Sequence, residues 1–214
     1  MTSSTENLID GLADRLVPVP ARLLERRLAF AVVGGAILGL SLIVGLLGVR
    51  PDVQLAMASS DFWLKLGYTA SLALVALAGA RRLARPEVSG INLTGFVVPI
   101  SVLVVLALFE LGSTSAGERN TLIFGATWRE CPVLIAALSP PLLGILFRLF
   151  SGFAPHRPRL TGAVIGVAAG ATTAMLYSLH CPESAMTFLL LWYSAGIMIV
   201  AAIGAIIGPR LLRW

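Results

Sequence analysis

The strongest constraint in this sequence is the spacing of its charges. Six long windows contain no Asp, Glu, Lys or Arg: Leu28–Val49, Leu66–Ala80, Val88–Phe109, Cys131–Phe147, Leu160–Pro182 and Ser184–Pro209. A helix rises about 1.5 Å per residue and a bilayer's hydrocarbon core is about 30 Å thick, so roughly 20 apolar residues make a span. The windows are continuous rather than alternating, which favours helices over barrel strands. The second window reaches span length as 62–80, provided that Phe62, Trp63 and Leu64 join it and Lys65 snorkels to the headgroups. The fourth is short and is interrupted by Pro140 and Pro141. The sixth exceeds the needed length and fits with tilt. The expected fold is all-α: a polytopic membrane protein, a bundle of six transmembrane helices at 28–49, 62–80, 88–109, 131–147, 160–182 and 184–209. Composition agrees. Of 214 residues, 13% are charged and 57% hydrophobic, whereas a soluble domain carries roughly 25% charged residues. An ordinary soluble enzyme, a disordered chain and a disulfide-stapled mini-domain are excluded. The first window is too long for the apolar core of a cleaved signal peptide.

The sixteen basic residues set the expected orientation. Twelve fall in the segments before span one, between two and three, between four and five, and after six: Arg15, Arg22, Arg26, Arg27, Arg81, Arg82, Arg85, Arg148, Arg157, Arg159, Arg210 and Arg213. The alternate loops hold Arg50, Lys65, Arg119 and Arg129. Positive charge marks the cytoplasmic side, so both termini are expected inside, in a bacterial inner membrane. The net charge of +5 follows from this bias and is spread over four loops. It points to topology, with no direct nucleic-acid contact. Trp63, Trp128, Trp192, Trp214 and Tyr68 fall near window ends, as interface anchors do. Gly34, Gly35 and Gly39, Gly166 and Gly170, and Gly204 and Gly208 form small-residue seams suited to close helix packing.

Residues 1–27 form a separate cytoplasmic arm ahead of the 28–214 transmembrane domain. Ser3 and Glu6 fit a capping box. Leu8, Ile9, Leu12, Leu16 and Val17 then share one helical face, and Pro18 and Pro20 end the helix. Such an amphipathic helix either lies on the inner leaflet or docks in a groove of a partner protein. Interfacial helices usually carry Lys or Arg on their polar face. This one carries Glu6, Asp10 and Asp14 against Arg15, which favours a protein partner.

The two cysteines share a context: Glu130-Cys131-Pro132 and His180-Cys181-Pro182. The expected topology puts both on the periplasmic face, where disulfides are allowed. Three readings stand. The thiols are small buried apolar groups; or they form a reversible disulfide; or, with Glu130 and His180 as further ligands or thiol-tuning partners, they hold a thiophilic metal transiently. No obligatory cofactor is indicated. No Walker loop, GxSxG, HExxH or CxxC occurs, so no enzyme is expected.

The ordered set Leu8-Ile9-x-x-Leu12-Ala13, Pro18-Val19, Arg22-Leu23-Leu24, Gly48-x-Arg50-Pro51-Asp52, Phe62-Trp63-x-Lys65, Arg82-Leu83-Ala84-Arg85-Pro86, Glu130-Cys131-Pro132 and His180-Cys181-Pro182 resembles the NrsF-type membrane regulators. These are six-helix inner-membrane anti-sigma factors of proteobacteria that restrain an extracytoplasmic-function (ECF) sigma factor. The resemblance spans nearly the whole chain. It implies that the arm helps hold the sigma factor and that Cys131 and Cys181 sense heavy-metal or oxidative stress. Two alternatives are a membrane thiol oxidoreductase and a small transporter. The first usually needs a second redox pair, and this chain has only two cysteines. The second usually needs a charge at mid-membrane, and the windows supply none. The oligomeric state stays open.

Overall fold

The computed structural model describes residue 11 and residues 23–85, 90–153 and 155–212. Among these, all regular structure is helical. The helices are α1 (Leu23–Leu46), α2 (Val53–Met57), α3 (Ser60–Leu83), α4 (Thr94–Ser113), α5 (Arg119–Phe124), α6 (Glu130–Leu138), α7 (Pro140–Phe150), α8 (Pro158–Tyr177) and α9 (Met186–Leu211). Five are long and apolar enough to cross a membrane, and α6 with α7 make a sixth candidate bent by 41°. The bend falls at Ser139, Pro140 and Pro141. Proline cannot continue the hydrogen-bond ladder, and Ser139 Oγ donates to the Ile135 carbonyl at 2.6 Å.

Consecutive long helices run back and forth. The loops around residues 47–59, 114–129 and 178–185 gather at one end, as the Arg50 amide to Leu179 carbonyl bond (3.0 Å) and the Ala126 amide to Glu183 carboxylate bond (2.7 Å) show. This is the cysteine end. At the opposite, arginine end, Arg81 pairs with Glu25 at 3.0 Å.

Helix α8 is the axis of the bundle and is the most buried of the long helices. It packs along α9 through glycines: a side chain on Gly162 would strike the Gly204 carbonyl, and one on Gly208 the Pro158 carbonyl. The expected seams at Gly166, Gly170, Gly204 and Gly208 are thus contact surfaces. Gly35 of α1 accepts Leu142 of α7 in the same way. By contrast, α1 and α4 turn large apolar side chains outward, Phe30 and Phe109 among them (73% and 76% exposed).

Three expectations need correction. Helix α8 stops at Tyr177, and residues 178–181 continue as hydrogen-bonded turns that end at Cys181, where the following Pro182 disfavours helical geometry. Cys181 therefore sits in a loop. Lys65 does not snorkel: it is 1% exposed and points into the protein. Tyr68 is buried, and its hydroxyl meets Ser194 Oγ at 2.7 Å instead of a water interface. Leu8, Ile9, Leu12, Leu16 and Val17 of the arm, with Pro18, Pro20 and Trp214, lie outside the described residues.

Candidate functional site

The two cysteines meet. Cys131 occupies the first turn of α6, where its amide bonds the Thr127 carbonyl at 3.0 Å. Cys181 is fixed by a turn closed from its amide to the Tyr177 carbonyl, also 3.0 Å. Their sulfurs lie 3.3 Å apart as free thiols, 0% and 1% exposed. Thr127 Oγ1 is 3.2 Å from Cys131 Sγ, and the Tyr177 hydroxyl is 3.6 Å from it. Sequence spacing brought both thiols to one end of the bundle; packing of α6 against α9 brings them into contact. There Pro132 and Ile135 lie against Gly196.

Two cations converge on the Cys181 peptide. Lys65 Nζ donates to the carbonyls of Cys181 (3.2 Å) and Glu183 (2.7 Å). It also stands 4.5 Å from the centre of the Tyr193 ring, within cation–π range. Arg50 Nη1 reaches the Cys181 carbonyl at 3.4 Å. The Arg50 guanidinium grips Asp52 with two bonds, Nε to Oδ1 at 2.7 Å and Nη2 to Oδ2 at 2.6 Å. That fork geometry is strong. It raises the Arg50 pKa and holds Asp52 below the ordinary carboxylate value. In the loop after α8, the hydrogen bond from the Cys131 thiol, together with the Lys65 charge, holds the Cys181 thiol below its ordinary value despite burial.

The rest of the cysteine end acts as a frame. The Glu110 carboxylate of α4 accepts the first amides of α9, Met186 at 3.1 Å and Thr187 at 2.8 Å, and the Thr187 hydroxyl at 2.8 Å. It caps a helix far away in sequence and suits the positive end of the helix dipole. Trp192 Nε1 donates to the Ile123 carbonyl at 2.7 Å, and its ring packs against Trp128 at a tilt of 48°.

Glu130 and His180 do not join the thiols. Glu130 is exposed; neighbouring residues on a helix point about 100° apart, so Cys131 faces in where Glu130 faces out. His180 pairs through Nδ1 with the Gly48 carbonyl at 3.0 Å, so Nδ1 is the donor. No group of three or more His, Cys, Asp or Glu side chains converges among the described residues. Of the four donors in the metal reading, one of three left open by the sequence, the structure brings the two thiols together and leaves Glu130 and His180 apart from them. Sequence reading missed Lys65, Arg50 and Glu110 as builders of this end. The signal was present for the first two, since both belong to the motifs flanking the first cysteine-end loop.

A family profile described as "NrsF: Negative regulator of sigma F" matches residues 12–214. Two curated relatives are similar to the chain along its length. One, from Azospira oryzae, is named "Probable anti-sigma-F factor NrsF"; it is 39% identical, covering 98% of this chain and 99% of the relative. Another, from Caulobacter vibrioides, is named "Anti-sigma-F factor NrsF"; it is 37% identical, with the same coverage. No solved structure matches. A family profile covering nearly the whole chain, joined by two such relatives, places this protein in the NrsF family of negative regulators of sigma F, a family of regulators and not of enzymes.

Proposed function

We propose that this protein is an inner-membrane anti-sigma factor that holds an ECF-type sigma factor at its cytoplasmic, arginine end and releases it when the Cys131–Cys181 pair is oxidised at its periplasmic end. The carrying observation is the pair itself: two buried free thiols 3.3 Å apart, one in the first turn of α6 and one in the loop after α8. Oxidation removes one proton and one electron from each thiol and closes an S–S bond; a hydroperoxide oxidant takes up the electrons and leaves as water and alcohol. This step needs no third ligand, which is why the geometry supports oxidation better than ligation of a heavy-metal ion. Membrane placement is supported by five to six helices of spanning length and by outward-facing apolar side chains on α1 and α4. Water-exposed apolar surface on that scale is disfavoured. The distribution of arginines supports the orientation.

The apolar face Leu8, Ile9, Leu12, Leu16 and Val17 of the acidic, amphipathic segment 8–17 is the proposed sigma-binding element. The test is co-purification with the sigma factor from membranes. Under reducing conditions the full chain should retain the sigma factor, and deletion of residues 1–17 should lose it. Hydrogen peroxide should release the sigma factor from the native chain and not from Cys131→Ser or Cys181→Ser. Oxidant-driven release that persists in both variants refutes the sensing role. A membrane-impermeant thiol reagent that labels only from the cytoplasmic side refutes the orientation.

A further inference from the structure

Lys65 is an anomaly of charge. Its ammonium is 1% exposed and has no carboxylate partner among the described residues. Its contacts are two carbonyls and one aromatic face. A buried, unbalanced charge is costly. The nearby carboxylates are engaged elsewhere: Asp52 by Arg50, and Glu183 by the Ala126 amide. What the Lys65 ammonium does face is the Cys181 residue. Around the Cys181 sulfur stand Cys131 Sγ at 3.3 Å and Thr127 Oγ1 at 4.0 Å, and the Tyr193 ring lies under the Lys65 ammonium. The Tyr193 hydroxyl is buried and has no hydrogen-bond partner meeting ordinary geometry. A turn of π-helix at Leu189–Tyr193 carries it to this position. Such turns often mark functional sites. Tyr177, with its hydroxyl 3.6 Å from Cys131 Sγ, Arg50 on the Cys181 carbonyl and His180 on the Gly48 carbonyl are the other titratable groups around the pair, so Lys65 and Arg50 both bring positive charge to the Cys181 peptide.

We infer that Lys65 is the positioning residue of the thiol pair: its buried ammonium is balanced by a Cys181 thiolate, so Cys181 is the thiol that attacks first and Cys131 the one that resolves. In the resting protein the Cys131 thiol donates to the Cys181 thiolate. With a hydroperoxide, the Cys181 sulfur forms the S–O bond as the O–O bond breaks, and the departing alkoxide takes a proton from water. The Cys131 sulfur then forms the S–S bond as hydroxide leaves with the Cys131 proton as water. Thiolate is the reactive form, so Lys65 sets the rate and the pH range of the response. This assignment rests on the thiol-sensing function proposed above.

The test is the ultraviolet absorbance of thiolate, followed against pH in the full-length protein purified in detergent under reducing conditions. One thiolate should persist to below about pH 7. It should vanish in Cys181→Ser and survive in Cys131→Ser. Lys65→Gln, which keeps a donor for the two carbonyls, and Lys65→Met should each move the step upward by about one pH unit or more. Lys65→Arg should restore most of it; a purely structural lysine would leave the step in place. A step that stays put in a neutral Lys65 variant overturns the inference, as does a step that belongs to Cys131 or the absence of any step below about pH 8. If neither neutral variant yields monodisperse protein, the two cysteine variants decide by the same criteria. Sigma release that depends on the cysteines while the step ignores Lys65 defeats this inference alone. A Lys65-dependent step with no oxidant-driven release defeats the sensing function alone.

Discussion

Asp52 lies on the surface, yet its bond to Arg50 determines how firmly the Cys181 loop is held. Arg50 has three tasks: its amide bonds Leu179, its Nη1 bonds the Cys181 carbonyl, and its remaining nitrogens bond Asp52. Removing the carboxylate should leave the guanidinium free to leave the loop. The sign with pH follows from the direction of the shift. Asp52 is held below its ordinary value of 3.8, so its contribution is complete above that value and fades as pH falls through the lower native one. The thermal midpoint of the native protein should therefore exceed that of Asp52→Asn at neutral pH. The two should converge only in strong acid, below about pH 4, as melts across pH in detergent would show. Between pH 5 and 8 the difference should be flat. The residue scale is also where sequence reading was weakest. Cys131 and Cys181 were legible because alternating spans put them at one end. Lys65 was not, because snorkelling is the usual fate of a lysine near a span end, and only the fold reveals the carbonyls waiting inside. Glu110 looked like a window boundary; its role depends on the first turn of α9, 76 residues later.

At the scale of elements, the pattern of charge-free windows found the helices, and the proline pair found the bend in the fourth span. What it could not give is which helix is central: α3 and α8 are the least hydropathic of the long helices and also the most buried, and hydropathy does not separate those two. The glycines of α8 and α9 supply that answer. Their backbones approach so closely that an added Cβ on Gly162 or Gly204 meets the opposite carbonyl. Gly162→Ala should destabilise the bundle by about 1–3 kcal/mol, the usual range for overpacking. Its thermal midpoint in detergent, read by fluorescence-detected size exclusion, should fall clearly. Gly144→Ala on α7 is the control. Nothing lies within 4 Å of its added methyl, so its effect should stay within about 1 kcal/mol, set by helix propensity alone. Equal behaviour of the two variants would mean that the α8–α9 seam is not the tight contact described.

For the whole molecule, the question is how an event at the cysteine end reaches the arginine end. Oxidation would tie the first turn of α6 to the loop between α8 and α9. That loop is anchored, because α8 and α9 are locked together by glycines and α9 is capped by Glu110. The element free to respond is α6, and it continues through the 41° bend into α7. Helix α7 seats Leu142 against Gly35 of α1, and α1 leads back in sequence to residues 1–22. A shift of α6 therefore has a continuous packed route to α1, which the arm precedes in sequence. This route makes a separable prediction. A hundredfold loss of sigma affinity on oxidation requires about 2.7 kcal/mol of coupling. Leu142→Ala should leave disulfide formation intact, as scored by the gel mobility of the alkylated protein. It should also leave reduced-state sigma binding near native. The oxidant-driven loss of affinity should then shrink by about tenfold or more, equivalent to about 1.4 kcal/mol of lost coupling. An unchanged loss of affinity with full disulfide formation would exclude the route through α7 and α1. It would shift attention to α3, which packs on α8 and carries Lys65 at the cysteine end and Arg81 at the other.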